Sequence, residues 1–242
     1  MERQRVQANI IAYWNARGAT YDSQPGHGIH GTDEHAAWLR ALTALLPPPP
    51  ADILDAGAGT GFLSLLLAEL GHRVIGVDLA EGMLAEARRK AARLPQPPVF
   101  RLGDAHAPDL PPASVDVVAS RHLLWTLADP AAAFAAWRRL LRPGGRVLAI
   151  DGLWWADGRS TVRGAATEPW QIAWQTYYSD ATQQELPLMH AQSLEPILAT
   201  VRAAGFVDVR VSRLEEIEQI ERNTQDRADY PSRYVITAFA DA

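Results

Sequence analysis

The chain predicts an α/β fold of parallel strands joined by helical crossovers, and three observations carry that prediction. Short apolar runs at 51–56, 73–77, 98–103, 115–119 and 146–151 alternate with helix-forming stretches at 62–70, 81–93 and 130–141. The first run passes through Asp55 directly into Gly57-Ala58-Gly59-Thr60-Gly61 and then an apolar helix start. A strand, a tight turn and a helix N-terminus in that order make the local geometry of a nucleotide-type site. The second run ends in another acid, Asp78, 19 residues after Gly59. A carboxylate placed there can accept both hydroxyls of a ribose.

The flanking elements follow from the same periodicities. Residues 2–18 read as a helix with Val6, Ile10, Tyr13 and Trp14 on one face and Gly18 as its stop. Ser23 to Gly31 is polar and glycine-rich, a loop or lid. A second helix, from Thr32 or Asp33 to Leu46, shows Trp38, Leu39, Leu42, Leu45 and Leu46 on its apolar side, and Pro47 to Pro50 end it. After the alternating core, residues 152–190 break the rhythm and are rich in Trp and Tyr. A helix at 193–204 and strands near 206–213 and 233–240 complete the chain. The expected organisation is one domain, 1–242. It has N-terminal helices and lid at 1–46, a ligand-binding core at 51–151 and an inserted cap at 152–190.

Composition narrows the function classes. The 242 residues are 48% hydrophobic, enough for a sizeable core, and carry a net charge of −5. That charge disfavours an extended nucleic-acid surface. There is no cysteine. Disulfides, thiolate metal sites and a cysteine nucleophile are excluded, and a cytoplasmic location is expected. The first residues lack the apolar run of a signal peptide, and no stretch reaches about 18 apolar residues, so no membrane span is expected.

The glycine spacing is G-x-G-x-G. Phe62 stands where the dinucleotide fingerprint has its third glycine, and no Lys-Ser/Thr pair follows as in a P-loop. Asp55-Ala56-Gly57-Ala58-Gly59-Thr60-Gly61 resembles the first motif of class I S-adenosylmethionine-dependent methyltransferases. The small-molecule, ubiquinone/menaquinone-methyltransferase-like type is the nearest in kind. Arg73 to Ala80 with Met83-Leu84, Gly103-Asp104-Ala105, and Phe134 to Gly145 extend the likeness over roughly 50–152. The resemblance implies a doubly wound, mostly parallel seven-stranded sheet in the order 3-2-1-4-5-7-6 with the last strand antiparallel. It implies S-adenosyl-L-methionine as cofactor and S-adenosyl-L-homocysteine as product.

By the same likeness Asp55 helps hold the methionine amino group; the alternative is that it simply caps the glycine turn. Gly57, Ala58, Gly59 and Gly61 give the closest backbone approach. Asp78 takes the ribose, and Leu79 and Met83 flank the adenine, or Met83 is simply core. Asp104 accepts from the adenine amino group, with the backbone N–H of Ala105 beside it. Tyr13 and Arg17 share a helix face four residues apart and could close over the methionine end, or be core and surface residues respectively.

Methyl transfer from a sulfonium needs only an aligned nucleophile, with no metal and no covalent intermediate. Polar groups after the fourth strand are then of interest. His122 is the candidate base or orienting group, with packing as the alternative. Ser120 and Arg121 shape the strand end, and Ser120 is counted with the cofactor site. Tyr21, His27 and His30 precede the core and can reach the same place. His27, His30 and His35 with Asp33 or Glu34 could also suit a metal, but the H-E-x-x-H pattern is missing, and no metal is expected. Trp170, Trp174 and Tyr177 fall at helical spacing, as a buried face does more often than a substrate cage. The N-P-P-Y/F signature of nucleic-acid amino-methylating enzymes is absent after the fourth strand. The expected acceptor is a small molecule with an N, O or S nucleophile, and the chain a monomer or homodimer. A nicotinamide-dependent oxidoreductase and a non-catalytic cofactor-binding scaffold are the competing readings.

Overall fold

The computed structural model describes residues 2–24, 26–156, 166–225 and 232–241. Part of the expected cap, 157–165, and Pro25 of the expected lid lie outside the described residues. Seven strands run β1 (Asp52–Ala56), β2 (Arg73–Asp78), β3 (Val99–Leu102), β4 (Val115–Arg121), β5 (Leu141–Gly152), β6 (Val207–Arg213) and β7 (Arg233–Phe239). They form one sheet in the order β3-β2-β1-β4-β5-β7-β6. The pairs β1–β2, β1–β4, β2–β3 and β4–β5 are parallel, whereas β7 is antiparallel to both β5 and β6. The order and the antiparallel last strand are those the resemblance implies.

The central strands are covered on both faces, so they read as near-continuous apolar runs. One face packs α2 (Thr32–Leu45) and α3 (Phe62–Glu69) through Trp38, Leu42, Leu63 and Leu67. The other packs α5 (Pro130–Leu140) and α8 (Glu195–Ala203) through Phe134, Trp137, Ile197 and Val201. The start of α5 is set locally. Pro130 occupies the first turn, where its missing N–H costs nothing, and the Asp129 side chain accepts from Ala132 N. α1 (Glu2–Arg17) and α4 (Glu81–Ala91) meet where Asn15 Oδ1 accepts from Gly82 N.

Three departures from expectation are informative. The expected 152–190 segment contains α6 (Pro169–Tyr177) and α7 (Asp180–Gln184). Of its aromatic trio Trp174 is buried against Trp155 and Tyr178, whereas Trp170 and Tyr177 are half-buried. The turn expected before the fifth strand lies inside β5, which starts at Leu141 and bulges against β4 between Val115 and Val117. Between β6 and β7, where the sequence predicts no element, stands α9 (Glu215–Gln225). Its apolar content is only Ile217 and Ile220, both packed in the α2–α3 layer. Glu218 and Glu221 point inward and meet Arg233, which donates its backbone N–H to Glu218 and its guanidinium to Glu221. Two glutamates facing the core of a helix leave no apolar stripe for periodicity to find.

Candidate active site

The carboxyl ends of β1, β2 and β4 and the segment after β3 open into a cavity of about 230 Å³, closed on one side by α1. This is the crevice where open parallel sheets bind ligands, beside the strand at which the order reverses.

Its floor is the glycine turn. Gly57 N and Ala58 N both donate to Val77 O, at 2.8 and 3.0 Å, pinning the turn to β2. Gly59 (φ +54) and Gly61 (φ +83) lie in the left-handed region. A Cβ at Gly61 would sit 3.0 Å from the Phe100 ring, so this position requires glycine on two counts. Asp78 bridges the turn and the next helix: Oδ2 accepts from Gly59 N and Oδ1 from Ala80 N, each at 2.8 Å. Burial pushes its carboxyl above the usual range against these bonds. Asp55 Oδ2 accepts from Ser64 N at 3.0 Å and Ser64 Oγ at 2.6 Å. It therefore caps the first turn of α3 from the strand end, while still facing the cavity. Burial lifts its carboxyl to about 6.

At the far end Asp104 accepts from Gln7 Nε2 at 2.7 Å and from His106 N and Nδ1 at 2.8 and 2.7 Å. The hydrogen bonds from His106 and Gln7 hold its carboxyl low against the opposing effect of burial. Leu79, Met83 and Ala105 complete the wall. Four carboxylates, those of Asp55, Asp78, Asp104 and Asp129, line the cavity with one guanidinium, that of Arg121.

Beside the glycine turn stand His122 and Tyr21. His122 leaves β4 at φ +55, uncommon for a residue with a side chain, and its N–H donates to Ile150 O at 3.0 Å. Its ring is edge-on to Trp154 at 4.7 Å and to His27 at 5.8 Å. His27 in turn stacks on Tyr21 at 4.4 Å. Trp154 Nε1 donates to the buried Asp151, whose carboxyl burial raises to about 6. Two arginines from different strands hold the loop carrying His27. Arg121 Nη2 and Arg233 Nη2 both donate to Gly26 O, at 2.6 and 3.1 Å.

Of the residues the sequence singles out, Asp55, Gly57, Ala58, Gly59, Asp78, Leu79, Met83, Asp104, Ala105, Tyr21 and His122 line the cavity. Gly61 shapes the turn beneath it, and His27 backs Tyr21. Tyr13 and Arg17 are buried behind the wall. Tyr13 packs on Trp174 and Tyr178, and Arg17 lies 5.9 Å from the Tyr21 ring and 5.7 Å from that of Trp170. Ser120 is buried outside the lining. His30 is exposed, its N–H donating to Glu34, and His35 pairs with Glu69, so the histidines are dispersed. Among the described residues no group of three or more His, Asp or Glu is arranged to hold a metal ion. Sequence reasoning missed Gln7, Ile11, His106 and Asp129, and gave Arg121, which lines the cavity, only the shaping of the strand end. For Gln7 and Ile11 a signal existed: with Ile10 and Trp14 they form one helical stripe. For His106 there was none.

Residues 54–149 match the family described as "Methyltransferase domain". Nocamycin O-methyltransferase of Saccharothrix syringae is 38% identical over 187 residues, 71% of this chain and 64% of that protein. Malonyl-[acyl-carrier protein] O-methyltransferase of Yersinia pestis is 37% identical over 141 residues, 58% of this chain and 48% of that protein. The chain spans about half the length of the curated relatives it matches. The crystal structure of an S-adenosylmethionine-dependent methyltransferase from Mesorhizobium loti shares the fold. Its TM-score is 0.61 at 23% identity, covering 84% of this chain and 97% of that one. No helix among the described residues is long and apolar enough to cross a membrane. Residues 54–149 thus carry a methyltransferase domain, and the chain has the fold of S-adenosylmethionine-dependent methyltransferases.

Proposed function

We propose that this protein transfers the methyl group of S-adenosylmethionine to a nucleophile, favoured as oxygen, of a small-molecule acceptor. The observation that carries the reading is the charge of the cavity. Four carboxylates against one guanidinium suit a ligand with a sulfonium and an ammonium, and repel the pyrophosphate of a nicotinamide dinucleotide. Oxygen is favoured because two of the relatives are named O-methyltransferases.

When bound, the cofactor supplies an electrophilic methyl group on sulfur. In this reading Asp78 accepts from the ribose hydroxyls with the lone pairs left after Gly59 N and Ala80 N, and Asp104 accepts from the adenine amino group. Asp55 faces the ammonium. Arg17, outside the cavity lining, stands behind Tyr21 with its Nη2 donating to Gln24, and backs the wall at the methionine end. His122 takes the acceptor proton at its ring, and Tyr21, backed by His27, holds the acceptor against it. The described residues 152–156 and 166–190 serve as a cap over that end.

Calorimetric titration with S-adenosylhomocysteine and with NAD tests the cofactor. Micromolar binding of the first and none of the second is expected, and the reverse would overturn the reading. Transfer of a labelled methyl group to carboxylic acids and phenols, over amines and thiols, tests the oxygen preference.

Asp55 gives this reading a pH dependence. It is 2% exposed, and folding lifts its carboxyl from 3.8 to about 6. A raised acid costs the folded state stability once pH passes its unfolded value, and the cost levels off above its folded value. The cost is absent below about pH 4, grows through the window and reaches roughly 3 kcal/mol at most above about pH 6. An ammonium beside Asp55 favours the ionised form, so affinity for S-adenosylhomocysteine falls as pH drops through about 6. Asp55→Asn is expected to raise the melting temperature at pH 7.5, flatten that pH dependence and weaken binding about tenfold. Calorimetry and melting curves across pH 5–8 check all three.

A further inference from the structure

We propose that His106 is a positioning residue that sets recognition of the adenine amino group through Asp104, an inference that rests on the cofactor reading above. Two bonds define its ring. Asp129 N donates to His106 Nε2 at 3.3 Å, and His106 Nδ1 lies 2.7 Å from Asp104 Oδ1. A backbone N–H can only donate, so Nε2 is the acceptor. Nδ1 then carries the proton and donates to Asp104. Both bonds exist together only in the neutral, Nδ1–H form. His106 N donates to the same Oδ1 at 2.8 Å, and Gln7 Nε2 takes Oδ2. Oδ1 is thus occupied twice, while Oδ2 keeps a lone pair for a donor in the cavity that Asp104 and His106 line. The imidazole also joins the segment after β3 to the N-cap of α5, two walls of the cavity that have no strand pairing between them.

The two bonds can be separated by substitution. His106→Asn keeps a donor near Asp104 and loses the acceptor for Asp129 N. His106→Gln keeps a longer acceptor and loses the short donor. Affinities for S-adenosylhomocysteine and S-inosylhomocysteine, which carries an oxo group in place of the adenine amine, are compared in each variant. The wild type is expected to prefer the amine about tenfold or more. His106→Asn should keep most of that ratio, while His106→Gln and His106→Ala bring it near one with melting temperatures unchanged. In the protein without ligand, ¹⁵N NMR should show His106 as the neutral Nδ1–H tautomer. An unchanged ratio in His106→Ala, or an Nε2–H tautomer, overturns the proposal. A wild type that binds neither ligand, with the Nδ1–H tautomer intact, overturns the cofactor reading instead and takes the recognition role of His106 with it.

Discussion

Turnover by His122→Gln is expected to fall at least about a hundredfold, the usual scale for loss of a positioned general base, while affinity for S-adenosylhomocysteine stays within about threefold. The expectation rests on how the ring is held. His122 sits at the carboxyl end of β4 with its backbone at φ +55, a conformation that strand pairing to Ile150 maintains. Strain of this kind persists where the surroundings over-determine it, and it turns the side chain out of the strand's alternation. The ring is boxed by Trp154 and His27, and Trp154 is itself fixed by Asp151. A boxed imidazole at the cavity wall needs no reorganisation to take a proton, and its ordinary value lies near neutrality. Glutamine keeps the size and polarity but cannot accept a proton at neutral pH. Single-turnover methyl transfer beside calorimetry measures both quantities. Unchanged turnover with intact binding would remove His122 from the chemistry. A parallel loss of binding would make it a packing residue.

Asp78→Ala is expected to weaken S-adenosylhomocysteine binding about a hundredfold. Two effects combine. The ribose hydroxyls lose a charged acceptor, worth about 1.5–3 kcal/mol. The glycine turn also loses its tie, because Gly59 N and Ala80 N both donate to this carboxylate in the ligand-free protein. Leaving two backbone donors without it loosens the floor of the cavity, at about 1–3 kcal/mol for each that stays buried. Stability should therefore fall together with affinity, which a role in ribose contact alone would not produce. Calorimetry and thermal melting of the same preparation measure the pair, and an unchanged dissociation constant would take Asp78 out of the site.

Where the sequence was legible, the determinants were close together along the chain. The glycine turn, its acid and the carboxylate that ties the turn to the next helix fall within Asp55 to Asp78, one strand–turn–helix–strand unit. Strand ends and tight turns need particular residue types, and those types are visible without knowing what surrounds them. The side of the cavity beyond the glycine turn was partly legible, since Tyr21 and His122 line it and His27 backs Tyr21, whereas His30 is exposed. Histidines in a loop give no periodicity, so nothing local says which faces inward.

By itself, then, the sequence determined the alternating core, the order of its first strands along the chain and the residues that floor the cavity. Only the tertiary structure decided what closes it. Gln7 meets Asp104 across 97 residues, and Arg233 reaches the carbonyl of Gly26 across 207. α9 is the clearest case, because nothing around Glu218 and Glu221 marks them as inward until Arg233 of β7 is placed against them. A buried charge is acceptable only beside its partner, and a partner brought in from another element leaves no pattern in the residues around either one.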